Sequence, residues 1–311
     1  MMKNKIIFMG TPMFSVPILK SLYQNGYPVS VVYTQPPNKS QRGQKLKNSP
    51  IHNISEILNL EVRTPLNLKN NENEYNYLKN LNADLAIVVA YGQIIPEEFL
   101  NLTKHGFINI HASLLPKWRG AAPIQRSIMN LDKETGISFM KIVKKLDEGP
   151  VCKKLNIKIS ERDNYETLSD KLSSLASENM LDIIDDIFEE KVLYEEQNHE
   201  EATYANKILK SEGEIKWSEN AENILGKING LYPSPGAWFV YKGERYKILN
   251  AELSFKSDQA GKVVDNNLEI ACGNNKSIKV IQIQRQGKNI QNIGEFMLGS
   301  SIKKDTNLNN A

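Results

Sequence analysis

Asn109 and His111 stand two positions apart in the stretch FINIH, residues 107–111. On a strand, positions i and i+2 point to the same face, so an amide and an imidazole placed this way can converge on one small group. The amide N–H can donate to an oxygen that gains negative charge during a reaction. An imidazole can move a proton near neutral pH or supply positive charge beside that oxygen. A third group to orient the imidazole is wanted, and KKLDEGP (144–150) offers Asp147, between a strand-like segment at 136–143 and a Gly-Pro turn. Near His111 its carboxylate would fix the tautomer and favour the charged form. Lys117, Trp118 and Arg119, just downstream, have no role that the sequence defines.

A second stretch carries charge rather than acid–base chemistry. TQPPNKSQRGQKLKNSP (34–50) holds Lys39, Arg42, Lys45 and Lys47 and no acidic residue. Its prolines and glycine argue against a regular element, which predicts a long exposed loop. Loops of that length in compact domains are functional or disordered, and a basic one beside a ligand-binding edge suggests contact with a phosphate backbone. Net charge over the 311 residues is +3, unevenly spread. Residues 1–204 carry 24 basic and 25 acidic side chains, whereas 205–311 carry 15 and 11. The modest basic balance of the second part fits a surface that meets a polyanion.

Several function classes are disfavoured. The two cysteines, Cys152 and Cys272, form no CxxC and no metal-ligand spacing, so neither a disulfide framework nor a metal is expected. The longest apolar run, 85–90, is far short of the roughly 20 residues a membrane span needs. No h-region follows Lys3 and Lys5. A cytoplasmic, reducing setting without a membrane partner is the expectation. MGTPMFSVP (9–17) follows the first strand-like run but is not G-x-G-x-x-G, and no P-loop occurs, which weighs against NAD and ATP.

The elements that must position these residues alternate. KIIFMG (5–10), YPVSVVYT (27–34), ADLAIVVAY (83–91) and GFINI (106–110) read as strands. The third is apolar throughout, as in a parallel strand buried on both faces. Val16, Leu19 and Leu22 recur at helical spacing before Gly26, and a long amphipathic helix is predicted over 165–188. Strands alternating with helices imply a Rossmann-like open α/β sheet, whose ligands bind beyond the carboxyl ends of the strands. Asn109 and His111 lie at such an end. Domain boundaries are expected at 1–190 and 207–311, with an acidic linker at 191–206. The second domain reads as one short helix followed by strands with Gly-containing turns, β-rich and barrel-like.

The blocks FMGTPMFSVPILKSL, YTQPPNKSQRGQKLKNSPI, VVAYGQIIP, GFINIHASLLPKWRGAAPIQRSI, ETGISFMKIVKKLDEGP and GEIKWSENAENILGKINGLYPSPGAWF occur in this order over about residues 5–250. Together they resemble the 10-formyltetrahydrofolate-dependent formyltransferases, and among these the methionyl-tRNA formyltransferase family. The resemblance implies that Asn109, His111 and Asp147 form the catalytic trio. It also implies that Ser113, Leu114, Leu115 and Pro116 line the tetrahydrofolate site, which the Tyr91-Gly92 turn borders. Arg42 matches a position that engages the acceptor end of initiator tRNA, and the second domain resembles an OB-like barrel suited to nucleic acid. The partners implied are 10-formyltetrahydrofolate and initiator methionyl-tRNA, with no metal, in a monomer of the bacterial cytoplasm. Lys141, Lys144 and Lys145 depart from the family pattern. A formyltransferase acting on a small amine such as glycinamide ribonucleotide, or a formyltetrahydrofolate hydrolase, would share the trio. Neither would need the basic loop or the second domain.

Overall fold

The computed structural model describes residues 4–40, 45–300 and 302–310. Strands β1 (Ile6–Gly10), β2 (Val29–Tyr33), β3 (Val62–Arg63), β4 (Leu85–Val89), β5 (Phe107–His111), β6 (Glu134–Lys141) and β7 (Val151–Lys158) form one sheet in the order β7-β6-β5-β4-β1-β2-β3. From β3 to β5 every pairing is parallel, and β6 adds on antiparallel to β5. All residues of β1 and β4 are buried, which is why their sequences are unbroken apolar runs instead of alternating ones.

The α-helices among the described residues are α1 (Val16–Gln24), α2 (Pro50–Ile57), α3 (Glu72–Leu81), α4 (Pro123–Met129), α5 (Tyr165–Phe188), α6 (Ala221–Gly230) and α7 (Ile293–Gly299). Local chemistry sets their starts: the Ser49 hydroxyl accepts the His52 N–H at 2.9 Å with Pro50 in the first turn of α2, and Asn71 caps α3 through Glu74 N–H. Helix α5 occupies the predicted range. Its stripe of Leu172, Met180, Ile184 and Ile187 is buried, and Ser173 donates to the Phe14 carbonyl at 2.6 Å while Ser21 of α1 donates to the Ser177 carbonyl. On one face of the sheet, Ile7, Met9, Val31, Tyr33, Ala86 and Val88 join Leu78 of α3 and Phe99 in one core cluster.

Two features differ from the sequence expectation. The basic segment contains two short antiparallel strands, Asn38–Ser40 against Lys45–Lys47; of their residues, Asn38, Leu46 and Lys47 are exposed, and no apolar pattern announces the pairing. Arg42 lies outside the described residues, as do the side chains of Lys39 and Lys45, while Lys47 is exposed. Strand β7 also went unread, because its sequence, VCKKLNIK, is solvated over most of its length.

The chain divides into two compact units, each built from three segments. The first comprises residues 1–120, 135–157 and 169–204, and the second 121–134, 158–168 and 205–311. Residues 191–204, expected as linker, therefore fold with the first unit, where Glu195 exchanges backbone hydrogen bonds with Val151 at 2.8 and 3.0 Å. In the second unit, strands β8 (Ala237–Tyr241), β9 (Glu244–Ser254), β10 (Glu269–Ala271), β11 (Ser277–Arg285) and β12 (Ile290–Asn292) pair antiparallel, β9 and β11 centrally. Register shifts between Ile248 and Ala251 bend the long β9, the device by which small β domains curl. Ile224 and Ile228 of α6 pack into its core with Trp217, Phe239, Tyr246 and Ile283. Helix α4 lies against α6 at Gly226 and Gly230, where added Cβ atoms would meet Leu131 Cδ2 at 2.8 Å and Met129 Cγ at 2.7 Å.

Candidate active site

Strand β5 carries the amide and the imidazole. Pairing places Asn109 beside Val88 of β4 and Met140 of β6, and His111 beside Ser138. The imidazole is 6 % exposed, whereas Asn109 keeps more of its surface open. Asp147, 9 % exposed and far from both in sequence, comes to them on the loop between β6 and β7. Asn109 Nδ2 donates to its Oδ1 at 3.4 Å, and His111 Nδ1 lies 3.7 Å from its Oδ2. Asn109 and His111 thus each come within 4 Å of the Asp147 carboxylate. Both contacts are long for hydrogen bonds.

The tautomer of His111 has a different origin from the one expected. Nε2 lies 2.9 Å from the Trp118 carbonyl oxygen, an acceptor only, so Nε2 carries the hydrogen. Nδ1 is then the nitrogen left to take up or release a proton, and it is the one facing Asp147. Trp118 presents that carbonyl from a left-handed conformation, φ 61°. The Asp147 carboxylate is itself anchored by the Gly120 N–H, which donates to Oδ2 at 2.8 Å. Asp147 also has positive φ, 52°, a conformation that costs a non-glycine residue energy and must be held by its surroundings.

Those surroundings are what the sequence did not reveal. Arg119 is 1 % exposed. Its Nε and Nη2 donate to Gln197 Oε1 at 3.1 and 2.8 Å, and Nη1 lies 3.5 Å from Glu148 Oε1. Gln197, also buried, donates from Nε2 to the carbonyls of Asp147 and Gly149 at 2.9 and 2.7 Å. Gly149 leaves no room for a side chain, since a Cβ there would sit 1.8 Å from the Lys141 carbonyl oxygen.

The Ser113–Pro116 turn is mostly inward-facing. Ser113 is fully buried and donates to the Lys117 carbonyl at 2.6 Å, and Leu115 is buried with Met140 and Val151. Leu114 is the member of Ser113–Leu115 that remains half-buried. At the end of β4 the Tyr91 ring is also inside the core cluster, where burial pushes its hydroxyl well above the usual tyrosine range. Its carbonyl accepts from Thr11 Oγ1 at 2.8 Å and Gln35 Nε2 at 3.3 Å. What this turn exposes is Gly92, at φ 83°, where an added Cβ would lie 3.3 Å from Gln35 Nε2. Cys152 donates to the Phe139 carbonyl, and burial pushes its thiol up to about 11. It is therefore a poor nucleophile near neutral pH. The described residues contain no group of three or more His, Cys, Asp or Glu arranged to hold a metal, and no helix long and apolar enough to cross a membrane.

Residues 3–184 match the family model described as Formyl transferase, and residues 207–301 match Formyl transferase, C-terminal domain. A protein of Pelagibacter ubique named methionyl-tRNA formyltransferase is 65 % identical over 309 residues, covering 99 % of this chain and 100 % of that one. Another so named, from Caldanaerobacter subterraneus, is 42 % identical over 306 residues, covering 97 % and 99 %. Among solved structures, an N-formyltransferase of Helicobacter canadensis in complex with folinic acid and dTDP-3-aminofucose aligns at TM-score 0.68 and 17 % identity, covering 90 % of this chain and 99 % of that one. HypX of Aquifex aeolicus in complex with tetrahydrofolic acid aligns at TM-score 0.64 and 16 % identity over 97 % of this chain and 49 % of that one. At such identities the two structures share the fold.

Proposed function

This chain belongs to the methionyl-tRNA formyltransferase family and is a formyl-transferring enzyme acting on methionyl-tRNA; we propose that Asn109, His111 and Asp147 carry the transfer. The observation behind this reading is the meeting of amide, imidazole and carboxylate at the end of β5. The co-substrate, 10-formyltetrahydrofolate, supplies a formyl group already activated by its attachment to nitrogen. Asn109 Nδ2, partly open, donates to the formyl oxygen as it gains charge. Protonated Nδ1 of His111 adds positive charge beside it. Asp147 accepts the proton that the methionyl amine gives up on attack and orients Nδ1 through its Oδ2; as the carbonyl re-forms, the bond from the formyl carbon to the folate nitrogen breaks, and that nitrogen leaves with the proton Asp147 took up. The folate ring system fits against half-buried Leu114 and the open backbone of Gly92. Ser113, Leu115, Pro116 and Tyr91 shape that wall from behind.

Arg42 meets the acceptor end of initiator tRNA, with Lys39, Lys45 and Lys47 on its phosphates. The second domain, from 207 onward, supplies further tRNA surface. The enzyme works as a monomer in the bacterial cytoplasm. The test offers 10-formyltetrahydrofolate with methionyl initiator tRNA, glycinamide ribonucleotide and water side by side. Transfer to the tRNA alone is expected. Formate release or transfer to the small amine would overturn the roles given to Arg42 and the second domain while leaving the trio's chemistry in place.

A further inference from the structure

We infer that Gln197 is a positioning residue for Asp147, acting from the segment after α5 by pinning the two carbonyls that bracket the carboxylate-bearing turn. The inference rests on the reading of Asp147 as a reacting group. Four observations carry it. Gln197 is 7 % exposed, so its amide is removed from competing water. Its Nε2 makes two donations, to Asp147 O at 2.9 Å and Gly149 O at 2.7 Å, which uses both of its hydrogens. The amide cannot flip without loss, because Arg119 donates twice to Oε1, at 3.1 and 2.8 Å. A reversed amide would set NH₂ against a guanidinium, and an oxygen against two carbonyls. Finally, the residue so held is Asp147 at φ 52°, a conformation that persists only when neighbours over-determine it.

The guanidinium in this arrangement is a buried cation, 1 % exposed, paired at 3.5 Å with Glu148 Oε1. Glu148 follows Asp147 directly. The turn is therefore gripped at 147 and 149 by backbone bonds and at 148 by charge. The Gly120 N–H on Asp147 Oδ2 adds the last constraint. A bond to the carboxylate alone would leave the backbone free to rotate its Cα away from His111 Nδ1. Two bonds to the flanking carbonyls remove that freedom.

The experiment compares Gln197→Glu and Gln197→Met, each alone and combined with Asp147→Asn, by steady-state formyl transfer and thermal melting. Glu keeps the length and the partner for Arg119 but cannot donate to the carbonyls; Met keeps the length and supplies neither. Each single variant is expected to lower kcat about 10–100-fold, the effect typical of losing a group that orients a reacting one, with KM for both substrates within about threefold. In the Asp147→Asn background the same changes are expected to cost little more, because groups acting through one another are not additive. Losses that add fully in the double variants, or single variants that keep kcat, would overturn the inference. An Asp147→Asn enzyme of full activity would instead remove the reading of Asp147 on which it rests. Gln197→Glu, which sets an oxygen against two buried carbonyls, is expected to melt below the parent yet stay folded at assay temperature; unfolding of both variants at assay temperature would make Gln197 structural and end the proposal.

Discussion

The Nε2–H of His111 is committed to the Trp118 carbonyl, so the ring presents one working nitrogen, Nδ1, toward Asp147. Replacing His111 by Ala is expected to lower kcat about 10²–10³-fold, the usual cost of deleting one stabilising donor, with KM for the tRNA little changed. A variant whose kcat holds while KM rises would place His111 in binding instead. At this scale the sequence was informative where residue type and local spacing carry chemistry. Asn109 and His111 share a strand face, and Asp147 precedes a Gly-Pro turn. It was silent on Arg119 and Gln197, 78 positions apart, because nothing local marks a glutamine or an arginine as buried. Tyr91 and Leu115 were legible as neighbours of the site but not as core residues, since an aromatic or leucine reads alike in either place.

Elements were legible where burial imposes a period. The runs of β1, β4 and β5 and the stripe of α5 gave their positions, whereas β7, solvated over most of its length, and the short paired strands Asn38–Ser40 and Lys45–Lys47 did not. Helix α4 was the least expected in its allegiance. It is anchored in the second unit by Arg126, which donates to Glu212 Oε2 at 2.6 Å and to Oε1 at 3.1 Å. That pairing, with the Leu209 N–H, holds the Glu212 carboxyl below its ordinary range. A carboxylate whose folded pKa is depressed contributes stability that is full above its unfolded value, near 4.5, and lost as pH falls through the folded one. Glu212→Gln is therefore expected to melt below the parent at pH 7 and to approach it at pH 3, as followed by circular dichroism. A constant difference across that range would mean the ion pair is not what anchors α4.

For the molecule as a whole, the proposed partner is a polyanion, and the basic segment that would meet it is compositionally distinct, with no acidic residue between 34 and 50. Each phosphate neutralised releases counterions. KM for the tRNA is expected to climb about 10–100-fold between 50 and 200 mM salt if three or four phosphates are engaged, while KM for the folate stays flat. Lys47→Glu should raise KM for the tRNA and make its salt slope shallower by roughly one phosphate's worth. Parallel salt responses for both substrates would remove the polyanion from the explanation. The threading of the two units has a consequence of another kind. Residues 121–134 and 158–168 belong with 205–311, so no single cut separates the polypeptide into its two bodies. A cassette starting at 205 and moved to another gene would leave behind Ile124 and Ile128, the buried side of α4, and arrive with the flank of α6 bare. The second unit is therefore complete only when its two inserted segments travel with residues 205–311.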